Sequence, residues 1–167
     1  TRRTLAGAKA KFATDDATID AAFRELLASV PIEAWTEPAD GDWTLADHVA
    51  HLATWFHEGA RALEVHRETG AWTEMPPEGL DAFNDRTVRA ARGTPAAELR
   101  GGYQAGIDRL RDAVGAMTDA EWLDPEGFSW AYEDLHGHVR AHHAMIGPWA
   151  ARIGWPPSER DARDRAG

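Results

Sequence analysis

Residues 42–56 read DWTLADHVAHLATWF, and this stretch predicts the start of a long amphipathic helix. Thr44 and Asp47 are three residues apart, close to the capping-box pattern in which each side chain pairs with the backbone N–H of the other residue. The apolar residues that follow recur at steps of three, four and seven, which places them on one helical face: Leu45, Val49, Leu52, Phe56 and Leu63. We predict a helix from Thr44 to about Arg67.

Three further segments show the same helical spacing, and proline, glycine or aspartate residues separate them. They cover about residues 16–30, residues 94–117 and about residues 130–153. A threonine opens the segment 94–117 as a capping residue, and Pro95 follows it at the first helical position, which proline favours. A shorter helix precedes this segment, over residues 80–93.

No stretch alternates apolar and polar residues over the length that a β-strand needs, so no sheet is expected. Four amphipathic helices bury their apolar faces most simply by packing together. We therefore predict an all-α protein, a four-helix bundle with a short extra helix before the third long helix. Gly101, Gly102 and Gly106 interrupt that third helix and indicate close packing or a local bend. Residues 1–155 would form the single domain, and residues 156–167 a charged, frayed tail.

The composition narrows both the chemistry and the partners. The 167 residues include no cysteine, which excludes disulfides and thiolate metal sites and leaves imidazole and carboxylate as the strong metal ligands. The formal net charge of -10 repels polyphosphate, so nucleic acid is not an expected partner. Lys9 and Lys11 interrupt any apolar signal core, and no apolar run approaches the roughly 20 residues that span a bilayer. We expect a soluble, cytoplasmic protein without a membrane partner.

Eight histidines are divided equally between the second and the last of the predicted long helices. His138 and His142 are four residues apart, so both rings lie on one helical face and can reach the same ion. His51 lies beside the apolar stripe of the second helix and is the best candidate for a third ligand. Three nitrogens with an open position are typical of a catalytic metal site rather than a structural one.

A histidine pair at positions i and i+4 is a weak signal by itself, and the alternative is that these are ordinary, partly exposed histidines beside carboxylates. We interpret His48, His57, His66 and His136 as surface or boundary residues. His143 would replace one of the ligands if the last helix were rotated from the predicted phase.

Three segments resemble the DinB-like superfamily of helical bundles, and within it the ClbS/DfsB-like branch: residues 42–55, residues 80–86 and residues 138–142. The resemblance extends in order along nearly the whole chain, from the first helix to Trp149. It implies that His51 joins the H-x-x-x-H pair His138 and His142 in binding zinc, nickel or another divalent ion.

The resemblance also implies a chemistry. Superfamily members include thiol transferases and isomerases that use bacillithiol or mycothiol, metal-dependent hydrolases, and self-protection proteins that open a reactive cyclopropane. We therefore predict a metal-assisted enzyme, a hydrolase or a thiol transferase, that acts on a small electrophilic molecule in detoxification or self-resistance. Its cofactors would be a divalent metal ion and, for thiol transfer, a low-molecular-weight thiol. The alternative is a non-catalytic bundle that sequesters a ligand or a metal. Relatives in the superfamily are often dimeric, so the resemblance also implies a homodimer.

Four aromatic residues lie near the proposed ligands in sequence or in helical phase and would form a wall over a substrate pocket: Trp43, Trp55, Trp130 and Tyr132. Asn84 would point a polar group into the same pocket. The alternatives are that the tryptophans are ordinary core residues and that Asn84 braces the loop before the third long helix. Glu58, Glu133 and Asp134 are candidates for a general base by position alone.

Overall fold

Helices make up most of the computed structural model, which describes residues 4–73 and 78–153 of the chain. The first four helices are α1 (Leu5–Ser29), α2 (Leu45–Thr69), the shorter α3 (Leu80–Ala91) and α4 (Ala96–Gly115). The last helical stretch comprises α5 (Asp119–Leu123), α6 (Pro125–Phe128), a π-helix (Ser129–Gly137) and α7 (His138–Arg152). The all-α fold and the short helix before the third long helix are thus confirmed. The predicted tail, 156–167, lies outside the described residues.

Helix α1 begins eleven residues earlier than the apolar spacing predicts. Thr4 caps its first turn, because the Thr4 hydroxyl accepts a hydrogen bond from the Gly7 backbone N–H at 3.2 Å. Ala8 is buried, and the ring of Phe12 packs edge-on against Trp122 with centroids 5.6 Å apart. Two such contacts in eleven residues are too few to produce a visible apolar stripe, although they attach this end of α1 to α5.

A small antiparallel ribbon connects α1 to α2, after a 3-10 turn over Ile32–Thr36. Its strands are β1 (Pro38–Asp40) and β2 (Trp43–Thr44), and Gly41 takes a left-handed conformation in the turn with a φ of 57°. The expectation of no sheet misses this ribbon, because strands of two and three residues are too short to alternate. The ribbon packs against α7 and leads the chain into α2.

The two predicted helix caps have different outcomes. Thr44 and Asp47 form a complete capping box at the start of α2, with the Thr44 hydroxyl accepting from the Asp47 N–H at 3.1 Å and the Asp47 carboxylate accepting from the Thr44 N–H at 3.0 Å. The cap predicted at Thr94 is wrong. Helix α4 begins one residue later, and the backbone carbonyl of Pro95 accepts from the amides of Glu98 and Leu99.

Helix α2 lies against α4 along most of its length, and Gly106 sets their closest approach. A Cβ atom at position 106 would lie 2.9 Å from the backbone oxygen of Ala53 and 3.3 Å from the Cβ of Phe56. At Gly101 and Gly102 a Cβ would meet no atom within 4 Å. Close packing, one of the two explanations predicted for these glycines, is therefore found at Gly106 and not at Gly101 or Gly102.

Substitution of Gly106 by alanine should destabilise the protein, whereas Gly101→Ala in the same helix should stabilise it. The added methyl at position 106 forces α2 and α4 apart, and overpacking of this kind costs about 1–3 kcal/mol. The methyl at position 101 enters open space and gains the helix propensity of alanine, about 1 kcal/mol. Urea denaturation of both variants measures the two changes. Equal free energies of unfolding for the two variants would contradict the assignment of Gly106 as the contact point.

Candidate metal centre

Helices α2 and α7 bring three histidines together at their interface. His51 of α2 and His142 of α7 are buried, His138 of α7 is partly buried, and their ligand nitrogens all lie within 4.8 Å of one another. The Nε2 atoms of His51 and His138 are 2.9 Å apart. Each pair of ring centroids is separated by 4.8 Å, so the three rings surround a common point. The structure thus brings the three predicted ligands together.

The π-helix immediately before α7 helps to determine where His138 points. Its wider turn ends at Gly137, one residue before His138, and π-helical turns are frequent at functional sites because they re-aim the side chains that follow. A Cβ atom at position 137 would collide with the carboxylate of Glu133. Glycine at this position therefore leaves space beside the wide turn for the side chain of Glu133.

His48 is a fourth member of the cluster, so the prediction that it is a surface or boundary residue is wrong. Only 1% of its surface is exposed, and its Nδ1 lies 2.6 Å from the Nδ1 of His142. A neutral imidazole has one N–H, so one of these nitrogens donates and the other accepts. This contact fixes the ring of His142 and leaves its Nε2 for another partner. His48 follows Leu45 by three residues and precedes Leu52 by four, a spacing that could have placed it in the apolar stripe.

The other four histidines lie away from the cluster. His136 is also buried rather than at the surface, and its Nε2 lies 3.2 Å from a carboxylate oxygen of Asp16 on α1. His57 and His66 are partly exposed, and His66 stacks on Trp72 with ring centroids 3.7 Å apart. His143, the predicted substitute ligand, packs against Phe23 of α1 instead.

Burial keeps the three candidate ligands uncharged. Desolvation, reinforced by the neighbouring imidazoles, lowers the pKa of His51 to about 3 and that of His142 to about 2. Desolvation alone lowers the pKa of His138 to about 4. All three rings are therefore neutral near pH 7, which is the form that ligates a metal.

The donor set fits a divalent ion. Two ligand nitrogens in a tetrahedral zinc site are roughly 3.3 Å apart, since each lies about 2.0–2.1 Å from the metal, and the Nε2 atoms of His51 and His138 are close to this separation at 2.9 Å. His142 is oriented by His48, as ligating histidines commonly are by a partner on the other ring nitrogen. The Nδ1 of His51 is buried and has no hydrogen-bond partner, so its orientation depends on packing. These residues can hold a metal ion.

A cavity of about 410 Å³ adjoins the cluster, with His51 and His138 in its wall. The other lining residues are aromatic, acidic, aliphatic or polar and uncharged: Trp55, Leu80, Asn84, Glu126, Ser129, Trp130, Glu133 and Asp134. A cavity of this size beside a potential metal site is large enough for a small organic molecule.

Three of the five predicted pocket residues line this cavity. They are Trp55, Asn84 and Trp130, and the indole N–H of Trp55 donates to the side-chain oxygen of Asn84 at 2.9 Å. Asn84 thus braces a wall of the cavity. Trp43 lies over the histidines instead, with its ring centroid 5.1 Å from that of His51. Tyr132 does not line the cavity, because its hydroxyl contacts Asp15 on α1.

The three candidate general bases lie in different surroundings. Glu133 and Asp134 line the cavity, whereas Glu58 pairs with Arg61 at 2.7 Å. The Oδ2 of Asp134 is buried without a hydrogen-bond partner. Desolvation, together with the negative charges of Glu133 and Glu58, raises the pKa of Asp134 to about 8. Sequence reasoning missed Glu126, which carries no pattern that distinguishes it from other surface carboxylates.

The fold and the histidine cluster define a class: helical bundles with a potential metal site between their second and last long helices. Comparison with known families is more specific, since residues 17–129, about two thirds of the chain, match the family described as mycothiol maleylpyruvate isomerase N-terminal domain. The chain belongs to this family, a member of the DinB-like superfamily. The matched segment includes His51 and ends before His138.

Comparisons with curated proteins and with solved structures found no relative that matches the chain significantly. Among the helices of the described residues, none combines the length and the apolar character needed to cross a bilayer.

The free energy of unfolding of Asp134→Asn, measured relative to the original protein without metal, should increase with pH. The pKa of Asp134 is about 8 in the folded protein and 3.8 without the fold, so its protonated form contributes stability that is complete below pH 3.8 and is lost as the pH rises toward 8. Asparagine stays neutral. From about pH 6 to about pH 8 the free energy of unfolding of the variant should rise by about 2 kcal/mol relative to that of the original chain.

Urea denaturation at several pH values measures this gain, and Asp112→Asn, which removes an exposed carboxylate of α4, is the matched control. A difference between Asp134→Asn and the original chain that does not change with pH would show that Asp134 is ionised throughout this range.

Proposed function

We propose that this protein is a metal-dependent enzyme that acts on a small electrophilic molecule, by thiol transfer or by hydrolysis, in detoxification or self-resistance. The observation that carries this proposal is the set of three neutral imidazoles with ligand nitrogens within 4.8 Å of one another, two of which, His51 and His138, lie in the wall of a cavity. The family name refers to a mycothiol-dependent isomerase, which favours a low-molecular-weight thiol over water as the nucleophile.

His51, His138 and His142 would hold the ion. A divalent ion bound by three neutral ligands keeps its full charge, and the chemistry it supplies is the acidification of a thiol or a water near neutral pH. The chain contributes the rest of the environment. Trp55 and Trp130 are both more than nine-tenths buried and shield this side of the cavity from water. Asp134, with its raised pKa, can hold or release a proton at Oδ2 near neutral pH.

Three further assignments belong to the same proposal. We propose that the protein works in the cytoplasm, that it forms homodimers, and that its partner is a small molecule rather than nucleic acid or a membrane. The net charge of -10 supports the exclusion of nucleic acid. Membership of the ClbS/DfsB-like branch stays a prediction, since the matched family shares with it only the DinB-like superfamily.

Untagged protein, stripped with a chelator and reloaded with zinc, should bind one ion per chain by elemental analysis. His51→Ala and His138→Ala should each reduce zinc to a small fraction of this amount, because two nitrogens hold zinc far more weakly than three. His57→Ala is the control, since His57 lies on the same helix as His51 but outside the cluster. Circular dichroism confirms that each variant is folded. Retention of full zinc binding by both ligand variants would overturn the proposed centre.

Turnover is tested on the same preparations. The thiol-transfer assay combines monobromobimane as electrophile with mycothiol or cysteine, and the hydrolysis assay uses p-nitrophenyl acetate without thiol. At least one reaction should depend on zinc and be lost in His138→Ala. Zinc binding without turnover in either assay would instead support the alternative function, a metal-binding or ligand-sequestering bundle.

His48 should act as a positioning residue for the centre. In His48→Leu the Nδ1 of His142 loses its partner, and loss of such a partner typically weakens metal affinity about 10–100-fold. His48→Asn places an amide group near the position of the lost Nδ1 and should restore most of the affinity. Competition with a fluorescent zinc chelator measures both constants. Zinc affinity that is unchanged in a folded His48→Leu protein would show that the contact with His48 plays no part in binding.

A further inference from the structure

The charged side chains that line the cavity beside the histidines are acidic, which does not favour the binding of an anion. Three carboxyl groups line it, from Glu126, Glu133 and Asp134, and none of its lining residues within the described part of the chain is lysine or arginine. Several other carboxylates of the described chain are paired with arginine, for example Glu64 with Arg109 at 2.6 Å. The two histidines in the cavity wall are neutral and do not offset the acidic groups.

Two buried polar atoms in the cavity wall lack partners within the protein. One is the Oδ2 of Asp134, and the other is the indole Nε1 of Trp130, a residue that is only 7% exposed. Buried polar groups normally have hydrogen-bond partners, and an unpaired one costs about 1–3 kcal/mol. Both residues line the same cavity, and each has a polar atom whose hydrogen-bonding capacity is not used within the protein.

The carboxyl group of Asp134 has room on the side of α2 because Gly59 lies opposite it. A Cβ atom at position 59 would lie 3.1 Å from the Oδ2 of Asp134 and 3.3 Å from the backbone oxygen of Trp130. Aromatic rings lie in the same wall, since Trp55 and Trp130 both line the cavity. Carboxylates combined with tryptophan rings are the side chains that bind organic cations, through ion pairing and through attraction to the ring face.

From this arrangement we infer that the cavity selects a substrate or co-substrate bearing a positively charged nitrogen, such as a protonated amine, and that Asp134 is the residue that recognises it. The inference rests on the proposed function, because it takes this cavity as the substrate site. The indole N–H of Trp130 then donates to an oxygen of the same ligand. A dicarboxylate such as the maleylpyruvate of the family name would meet three carboxyl groups here and no cationic side chain, so the metal ion would be its only positively charged contact in the described part of the cavity wall.

The electrostatics of Asp134 support this assignment. Its proton is retained because Glu133 and Glu58 surround it with negative charge and because the group is desolvated. A cation that enters the cavity is attracted by the same charges, and it stabilises the ionised form of Asp134. The ionised form of Asp134 is therefore unfavourable in the empty cavity and becomes more favourable when an organic cation occupies it.

Three probes of similar size and different charge test the inference in zinc-free protein near pH 7: 2-phenylethylamine, 2-phenylethanol and phenylacetate. We expect the amine to bind at least about tenfold more tightly than the alcohol, and the carboxylate to bind most weakly. Isothermal titration calorimetry gives the three dissociation constants. The use of zinc-free protein removes any attraction of phenylacetate to the metal.

Asp134→Asn should reduce the preference for the amine over the alcohol to less than about threefold and leave the affinity for the alcohol unchanged. Glu133→Gln, in an exposed residue of the same wall, should reduce the preference by a smaller factor and serves if Asp134→Asn does not fold. Asp112→Asn makes the same change in net charge on the exposed face of α4 and should leave the preference intact.

The inference is overturned if phenylacetate binds as tightly as the amine, if no probe binds up to its solubility limit, or if the preference survives in the folded variants of the cavity. Its failure is distinct from a failure of the proposed function. Zinc binding and turnover without a preference for the amine would remove the inference alone, whereas a preference for the amine in a protein that holds no zinc would remove the metal centre alone.

Discussion

Helix α2 packs against other elements along most of its length, and this packing constrains the polar side chains that it buries. Buried polar groups need partners, so Asp47, His48 and His51 each contact a group outside their own apolar surroundings. Asp47 closes the helix cap, and the two histidines contact His142 and His138 of α7. The polar contact between α2 and α7 therefore consists of imidazoles, and the register of α7 against α2 depends on them.

The π-helix before α7 divides its polar side chains between two surroundings. His136 and Tyr132 turn toward α1, where they contact Asp16 and Asp15. Trp130, Glu133 and Asp134 turn toward the cavity. A regular α-helix has a narrower turn and would distribute these residues differently. One irregular segment thus both attaches the last helix to the first and supplies four of the ten residues that line the cavity.

The sequence predicts the bundle and the three central histidines because both depend on helical spacing within single helices. His138 and His142 share a face at any α-helical phase, and the capping residues fix the start of α2 near His51. The same reasoning misplaces Tyr132, since it assumes a regular α-helix across the π-helical turn. It also misplaces His48, because a single apolar stripe underestimates how much of α2 is buried. Neither the ribbon nor the grouping of Glu126 with Asp134 leaves a periodic signal.

The charges of the site follow from its ligands. Three neutral imidazoles contribute no negative charge to balance a divalent ion, so compensation must come from side chains that are near the centre without ligating it. Glu126 and Glu133 lie in the wall that also contains His51 and His138 and can provide it, and Asp134 adds to it when it is ionised. Carboxylates in this role create a field that attracts cations and repels anions. The residues that would make a dication tolerable in this bundle are therefore the same residues that decide which small molecules can approach it.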